Sequence, residues 1–355
     1  MHFERNIVFW IAALIVFVGL LWLLSPILLP FVLGMAIAYV LDPLANWLSK
    51  RGMSRLFAAL LILGGFVVAL VLLLLLIVPI LSSQFAGFIE NAPAYALRLQ
   101  AMVSDPNHPW IKRIIGDNLV GAGRSVGDVL NQSVGYLSAF IASLWTKGQA
   151  LISIFSLVII TPVVAFYLIC DWDRMVQSVD SLVPLPQRET VRSLGREIDA
   201  TISAYVRGQS GVCLILGSYY AVALTLAGLS FGVLIGAVAG LISFIPYVGS
   251  LTALVLSLAV ALAQFFPDWS GIVIVAGIVL VGQVLEGYVL SPKLVGHSVG
   301  LHPVWLMFAL FAFGYLFGFV GLLLAVPLAA ATGVLIRFAL RRYLASPLYT
   351  GTRPS

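Results

Sequence analysis

The sequence predicts an all-α polytopic integral membrane protein that crosses the bilayer about eight times, at about 20 apolar residues per crossing. Three observations carry that prediction. Hydrophobic residues make up 61% of the 355 residues, above the about 45–50% of a soluble domain. Charged residues are only 9%, against about 25%, too few to cover a water-soluble fold of this size. The apolar residues also fall in long runs broken mainly by prolines and short basic loops.

Residues 7–41 contain no Asp, Glu, Lys or Arg. This run is too long for one ordinary span, and Pro26 and Pro30 break it into two short passes. It continues past a signal-peptide core without a small-residue cleavage site, and so reads as a retained signal anchor. Residues 56–81 form a clean span, and residues 149–170 another, with Pro162 inside as a candidate break or hinge. The uncharged block 208–267 suffices for two or three crossings, residues 271–290 for one and residues 303–336 for two. A short pass that is a re-entrant hairpin changes the count by two and leaves the parity intact.

The positive-inside rule orients these spans. With the N-terminus in the cytoplasm, Lys50, Arg51 and Arg55 fall inside, as do the five arginines of 171–207, Lys293, and Arg337, Arg341 and Arg342. The turn at 267–270 falls outside and carries no Lys or Arg. Both termini are therefore expected inside. The net charge of +5 follows from this topology. With no basic stripe interleaved with aromatics, nucleic acid is not an expected partner.

The chain accordingly reads as an N-terminal transmembrane unit (1–81), an extracytoplasmic segment (82–148), a transmembrane helix (149–170), a cytoplasmic segment (171–208), a C-terminal transmembrane core (209–340) and a basic cytoplasmic tail (341–355). The segment 82–148 is mixed in polarity and reads as short amphipathic helices forming a lid. Asn91-Ala92-Pro93 and the prolines Pro106 and Pro109 are its loop punctuation. In 171–208, Val191, Leu194, Ile198, Ile202 and Tyr205 recur at helical spacing, with Arg188, Arg192 and Arg196 on another face. Such a helix either lies in the inner headgroup layer or packs, solvated, on the other spans.

Gly228, Gly232, Gly236 and Gly240 fall every fourth residue, and Gly314 and Gly318 repeat the spacing with Gly321 one turn on. Small residues four apart give a helix one bare face for a neighbouring backbone. The alternative is a glycine-lined path. The stretch SFIPYVGS at 243–250 combines Pro246, which removes a donor, with Gly249, which permits a turn. In lipid such a break needs protein or a wet cavity to satisfy the freed groups. It is either a plain loop or a hairpin tip facing a pathway.

Gln283, Glu286 and Lys293 form the third feature. Glu286 is the one carboxylate interrupting a hydrophobic span, and a charge there is costly and a functional candidate by default. Gln283 lies one turn away on a similar face. A structural pair of Glu286 with Lys293, or with an arginine near the inner surface, is the competing reading. The four histidines form no metal site, since His297 and His302 flank Gly300 with no Cys, Asp or Glu between them. Cys170 and Cys213 lie in apolar runs and suggest neither a disulfide nor zinc. No enzymatic signature and no nucleotide-binding loop is present, so neither an enzyme nor a cofactor is expected.

These motifs resemble the autoinducer-2 exporter (AI-2E) family of bacterial permeases. The resemblance rests on QVLEGYVLSPKLVG at 283–296, GLHP at 300–303 and GFVGLLLAVP at 318–327. It extends to FIPYVG at 244–249, to Pro30-Phe31 through Asp42-Pro43, and to Thr161-Pro162 through Asp171. It covers nearly the whole chain, apart from residues 82–148. It implies a multi-pass bacterial cytoplasmic-membrane protein assembled as a homo-oligomer. Members have been linked to export of autoinducer-2, and others to exchange of sodium or lithium for protons. The positions it points to are Gln283, Glu286, Gly287, Pro292, Lys293, Gly296 and Pro303, with Pro246 and Gly249. The expected function is a secondary transporter exporting a small polar solute, coupled to the proton gradient through Glu286. The alternatives are a sodium(lithium)/proton antiporter and a non-transporting scaffold or passive oligomeric pore.

Overall fold

The computed structural model describes residues 16, 19–103, 148–296, 302–346 and 349. Every regular element among them is helical, and six helices are long and apolar enough to cross a membrane. The chain is an all-α polytopic membrane protein. It divides into two compact units, Met1–Phe66 with Phe155–Gly208 and Leu294–Ser355, and Val67–Ile154 with Gln209–Lys293.

The N-terminal run breaks at its prolines. A single 3-10 turn, Ser25–Ile27, precedes helix α1, Leu29–Lys50, with Pro30 in its first turn. There the missing N–H is no loss. Contrary to the expected end near residue 41, α1 runs on to Lys50 with Pro43 inside it. Its buried residues Pro30, Gly34, Ala38, Leu41 and Ala45 recur three or four apart and so share one face. A Cβ on Gly34 would come within 2.8 Å of the Val164 side chain. Ala38, Leu41 and Ala45 pack with Ala59, Leu63, Ala165 and Ile169 as the core of the first unit.

Helix α2, Arg55–Val103, is 49 residues long, about 74 Å at 1.5 Å per residue. It passes straight through Asn91-Ala92-Pro93, so this tripeptide is not the expected loop. The rest of the expected lid, from 104 to 147, lies outside the described residues. Apolar side chains on α2 face outward, with Leu75 and Leu76 each 68% exposed, as lipid or a partner surface requires.

Helix α3, Gly148–Ser181, carries Pro162 inside an unbroken run, so Pro162 is not a break. A 3-10 turn, Leu185–Gln187, leads into α4, Arg188–Leu226. Asp180 accepts two hydrogen bonds from Arg192, from Nε at 2.8 Å and Nη2 at 2.7 Å. This bidentate pair holds the α3–α4 connection and keeps the Asp180 carboxyl below the usual carboxylate range. The amphipathic stretch 188–207 is the first half of α4 and continues without interruption into apolar residues 208–226.

The second unit contains the glycine-rich pattern. Helix α5, Gly232–Ile242, has 11 residues, about 17 Å, which is too short to cross about 30 Å of hydrocarbon. It lies antiparallel to the end of α4. A Cβ on Gly232 would come 2.7 Å from the Thr225 nitrogen, and one on Gly240 would come 3.0 Å from the Cys213 carbonyl. Gly236 fits against Ala221 in the same way. Cys213, Gly217, Ala221 and Thr225 thus form a small-residue stripe facing Gly232, Gly236 and Gly240. Gly228 is not part of this face. It ends α4 with φ 74°, while the Leu229 N–H donates to the Leu224 carbonyl at 3.0 Å, the closing bond of a helix C-terminus. Gln264 clamps this turn, accepting from Ser230 N at 2.8 Å and donating to Gly228 O at 2.8 Å. Helix α6, Val248–Phe265, returns beside α5, and α7, Trp269–Val284, follows, capped by Asp268.

Helix α8, Pro303–Leu344, is interrupted at Gly318, with φ 60° and ψ −138°. Gly321 comes against the Phe313 carbonyl and Gly314 against the Leu322 side chain. The two halves of α8 therefore fold back on each other. Gly318 is the bend of a hairpin, not one position on a bare helical face.

Candidate functional site

Helix α7 does not end at Val284. It widens into a π-helix over Leu285–Val295, with Pro292 inside. In an α-helix the Pro292 ring would collide with the carbonyl of Tyr288, four residues back. The wider π turn, closed five residues apart, relieves that collision. The segment ends at Gly296, where φ is 63°, a conformation glycine adopts without steric cost. Gly208 on α4 makes room for this end. A Cβ there would come 2.6 Å from the Leu294 carbonyl carbon and 2.9 Å from the Val295 Cα. Pro303 then opens α8, and the His302 side chain accepts from the Val304 N–H at 3.3 Å. His302 is thus a helix cap. His297 lies outside the described residues.

Glu286 sits in the first turn of the π segment, half-buried. Its Oε2 is buried and has no hydrogen-bond partner among the described residues. No ion pair among those residues joins it to Lys293, which is exposed, or to an arginine. The structural pairing that competed with a functional reading is absent there.

Tyr220 on α4 is 0% exposed, and its hydroxyl also has no partner among the described residues. Its ring lies over Gly282, where a Cβ would come 2.6 Å from two ring carbons. Gly282 and Glu286 are four residues apart and share a helix face. Cys213 lies seven residues, or two turns, before Tyr220 on the same side of α4. Tyr219 donates to the Ile278 carbonyl at 2.9 Å, fixing α4 against α7. Gln283 is half-buried next to Gly282.

The broken element at 243–250 is a tight turn between α5 and α6. Tyr247 adopts φ 67°, and Gly249 packs on the Ser243 backbone, where a Cβ would come 2.6 Å from its nitrogen. Gln209, 6% exposed, donates to the Ser243 carbonyl at 2.5 Å, and Ser243 Oγ donates to the Ala239 carbonyl at 2.8 Å. One carbonyl freed by the break near Pro246 is thus satisfied from α4, as an apolar medium demands.

The first unit holds a polar cluster that the sequence alone does not single out, although Tyr39 and Asp42 lie within the motif stretch 30–43. Arg55 donates to the Ile169 carbonyl at 2.9 Å, to Asn46 Oδ1 at 2.9 Å and to Asp42 Oδ1 at 3.1 Å. Tyr39 donates to Asp199 at 2.8 Å, and Arg207 Nε donates to the Tyr39 carbonyl at 2.7 Å. Tyr39, Asp42, Trp172, Asp199 and Arg207 line a cavity of about 70 Å³. Its signal in the sequence is a set of charges at the ends of apolar runs, which topology alone also accounts for. No group of residues able to hold a metal ion occurs among the described residues.

The family described as AI-2E family transporter matches residues 11–341. The chain is 28% identical over 324 residues to "Putative transport protein YrrI" of Bacillus subtilis (strain 168), covering 90% of this chain and 89% of that one. It is 28% identical over 328 residues to "Putative permease PerM" of Escherichia coli (strain K12), covering 90% of each. It is 24% identical over 322 residues to "AI-2 transport protein TqsA" of Escherichia coli (strain K12), covering 90% of this chain and 86% of that protein.

Proposed function

The chain belongs to the AI-2E transporter family, and from that premise we propose that it is a secondary transporter exporting a small polar solute, coupled to the proton gradient through Glu286. The observation that carries this reading is the buried, unpartnered Oε2 of Glu286 on a π-helical turn. A carboxyl group held in an apolar span without a counter-ion gains and loses a proton at a large cost difference from water. Such a group suits coupling better than it suits structure. The π turn adds a second support, since such segments concentrate at functional sites.

The name of TqsA suggests AI-2 as the first solute to test. The basic loops support placement in a bacterial cytoplasmic membrane with both ends inside. In everted vesicles, uptake of labelled AI-2 should respond to an imposed pH gradient, and Glu286→Gln should remove that response. A well-folded Glu286→Gln protein with unchanged pH-driven flux would remove Glu286 from the mechanism.

A further inference from the structure

The cavity of the first unit has no part in the reading above, which rests on Glu286 in the other unit. We propose that this cavity binds a small zwitterion, a primary ammonium joined through a short chain to an oxyanion, with Asp199 taking the ammonium and Arg207 the anion. The headgroup of phosphatidylethanolamine and free phosphoethanolamine share that chemistry.

The pairing of charges points to this ligand. Asp42 is already engaged, its Oδ1 accepting from Arg55 at 3.1 Å and its Oδ2 from Asn46 at 2.8 Å. Arg55 is engaged as well, on Asp42, Asn46 and the Ile169 carbonyl. Asp199 and Arg207 are not. Asp199 accepts from the Tyr39 hydroxyl at Oδ1, at 2.8 Å, and its Oδ2 has no partner among the described residues. Arg207 uses Nε alone, on the Tyr39 carbonyl at 2.7 Å, and its two Nη groups have no acceptor among those residues. Both side chains line the cavity, yet no ion pair joins them there. Tyr39 holds the carboxylate at its hydroxyl and the guanidinium at its backbone, and so keeps the two apart. A bound cation would satisfy Asp199 and meet Arg207 as a like charge, and a bound anion would do the reverse. A ligand carrying both charges satisfies each by a charge-assisted hydrogen bond.

Size and place agree with that class. The cavity measures about 70 Å³, and one water takes about 10–15 Å³ of such space. It therefore holds about five to seven groups of that size, enough for an aminoethyl chain and the nearer oxygens of a phosphate. Arg207 is exposed and can meet an anion that extends out of the cavity. Tyr39 and Asp42 lie in the half of α1 that ends at Lys50. At that end Arg51 Cζ lies 3.6 Å from the centre of the Trp47 ring. Inside the cavity the Tyr39 and Trp172 rings meet edge to face, with centroids 6.3 Å apart. Tryptophan and tyrosine gathered at the basic end of apolar runs mark the level of the lipid headgroups.

The test requires no knowledge of the transported solute. Native mass spectrometry of the full-length protein released from detergent micelles reads the affinity for four probes. Two are phosphatidylethanolamine and phosphatidylcholine with matched acyl chains, and two are phosphoethanolamine and phosphocholine. Trimethylation removes every N–H of the ammonium and adds three methyl groups. The ethanolamine form should therefore bind about tenfold more tightly, the effect of one charge-assisted hydrogen bond. A preference between the two lipids assigns a membrane headgroup, and one confined to the soluble pair assigns a free solute. Asp199→Asn keeps an oxygen for Tyr39 and removes the charge, so it should abolish the preference. Arg207→Gln should weaken the ethanolamine and choline forms alike, since both carry the phosphate. Lys50→Gln, at the same end of α1 but outside the cavity lining, should change neither. If a variant loses its fold, the wild-type comparison decides alone. Equal binding of ethanolamine and choline forms by wild type, a preference that survives Asp199→Asn, or unchanged affinities in Arg207→Gln would overturn the proposal.

Discussion

Replacing Gly282 by alanine tests the packing that positions Tyr220. The new Cβ would sit 2.6 Å from the Tyr220 Cε1 and Cζ, whereas carbon atoms in contact lie about 3.5–4.0 Å apart. The ring must therefore withdraw by about 1 Å, the difference between those separations. Tyr220 is 0% exposed, so the shift disturbs a fully buried side chain. Overpacking of this kind costs about 1–3 kcal/mol. Gly277, earlier on the same helix, has nothing within 4 Å of an added methyl, and there alanine should stabilise the helix by up to about 1 kcal/mol. Reversible unfolding in mixed micelles of increasing SDS content would compare the two variants. The packing account expects Gly282→Ala to fall below wild type and Gly277→Ala to match or exceed it. Equal stability of the two variants would refute the reasoning, because backbone propensity would then outweigh the contact with Tyr220.

Two further substitutions follow from the same structure. Gln209→Leu strands the Ser243 carbonyl and should destabilise by about 1–3 kcal/mol in the same unfolding assay, with an undiminished midpoint as the contrary result. Gly318→Ala places a Cβ at φ 60° and ψ −138°, a region used essentially by glycine, which costs about 1–3 kcal/mol. Cysteine cross-linking between the two halves of α8 should report a loosened hairpin, and wild-type cross-linking efficiency would count against the bend.

Much of this architecture is legible in the residues themselves. The apolar runs, the break at Pro26–Pro30, the tip at Pro246–Gly249 and the isolated carboxylate all follow from residue chemistry. What escapes is context. Asn91-Ala92-Pro93 looks like a loop, yet α2 runs through it as helix. Pro162 looks like a break and is accommodated. Gly228 and Gly318 share the spacing of the packing glycines, but each adopts a positive φ that only a turn or bend uses, and spacing cannot distinguish the two roles. Sequence also does not reveal that the amphipathic stretch and the apolar residues after it form one helix, Arg188–Leu226. The site is only half visible for a related reason. Glu286 announces itself by charge, whereas Tyr220 and Gln209 are uncharged members of an apolar block. Only the fold places them opposite Gly282 and Ser243.

The central claim is that Glu286 couples flux to the proton gradient and is not required for solute passage itself. Proteoliposomes containing wild type or Glu286→Gln, loaded with AI-2, separate the two functions. Counterflow without a gradient measures passage, and pH-driven accumulation measures coupling. Glu286→Gln should keep counterflow and lose pH-driven accumulation. Retention of pH-driven accumulation at the wild-type level would contradict it.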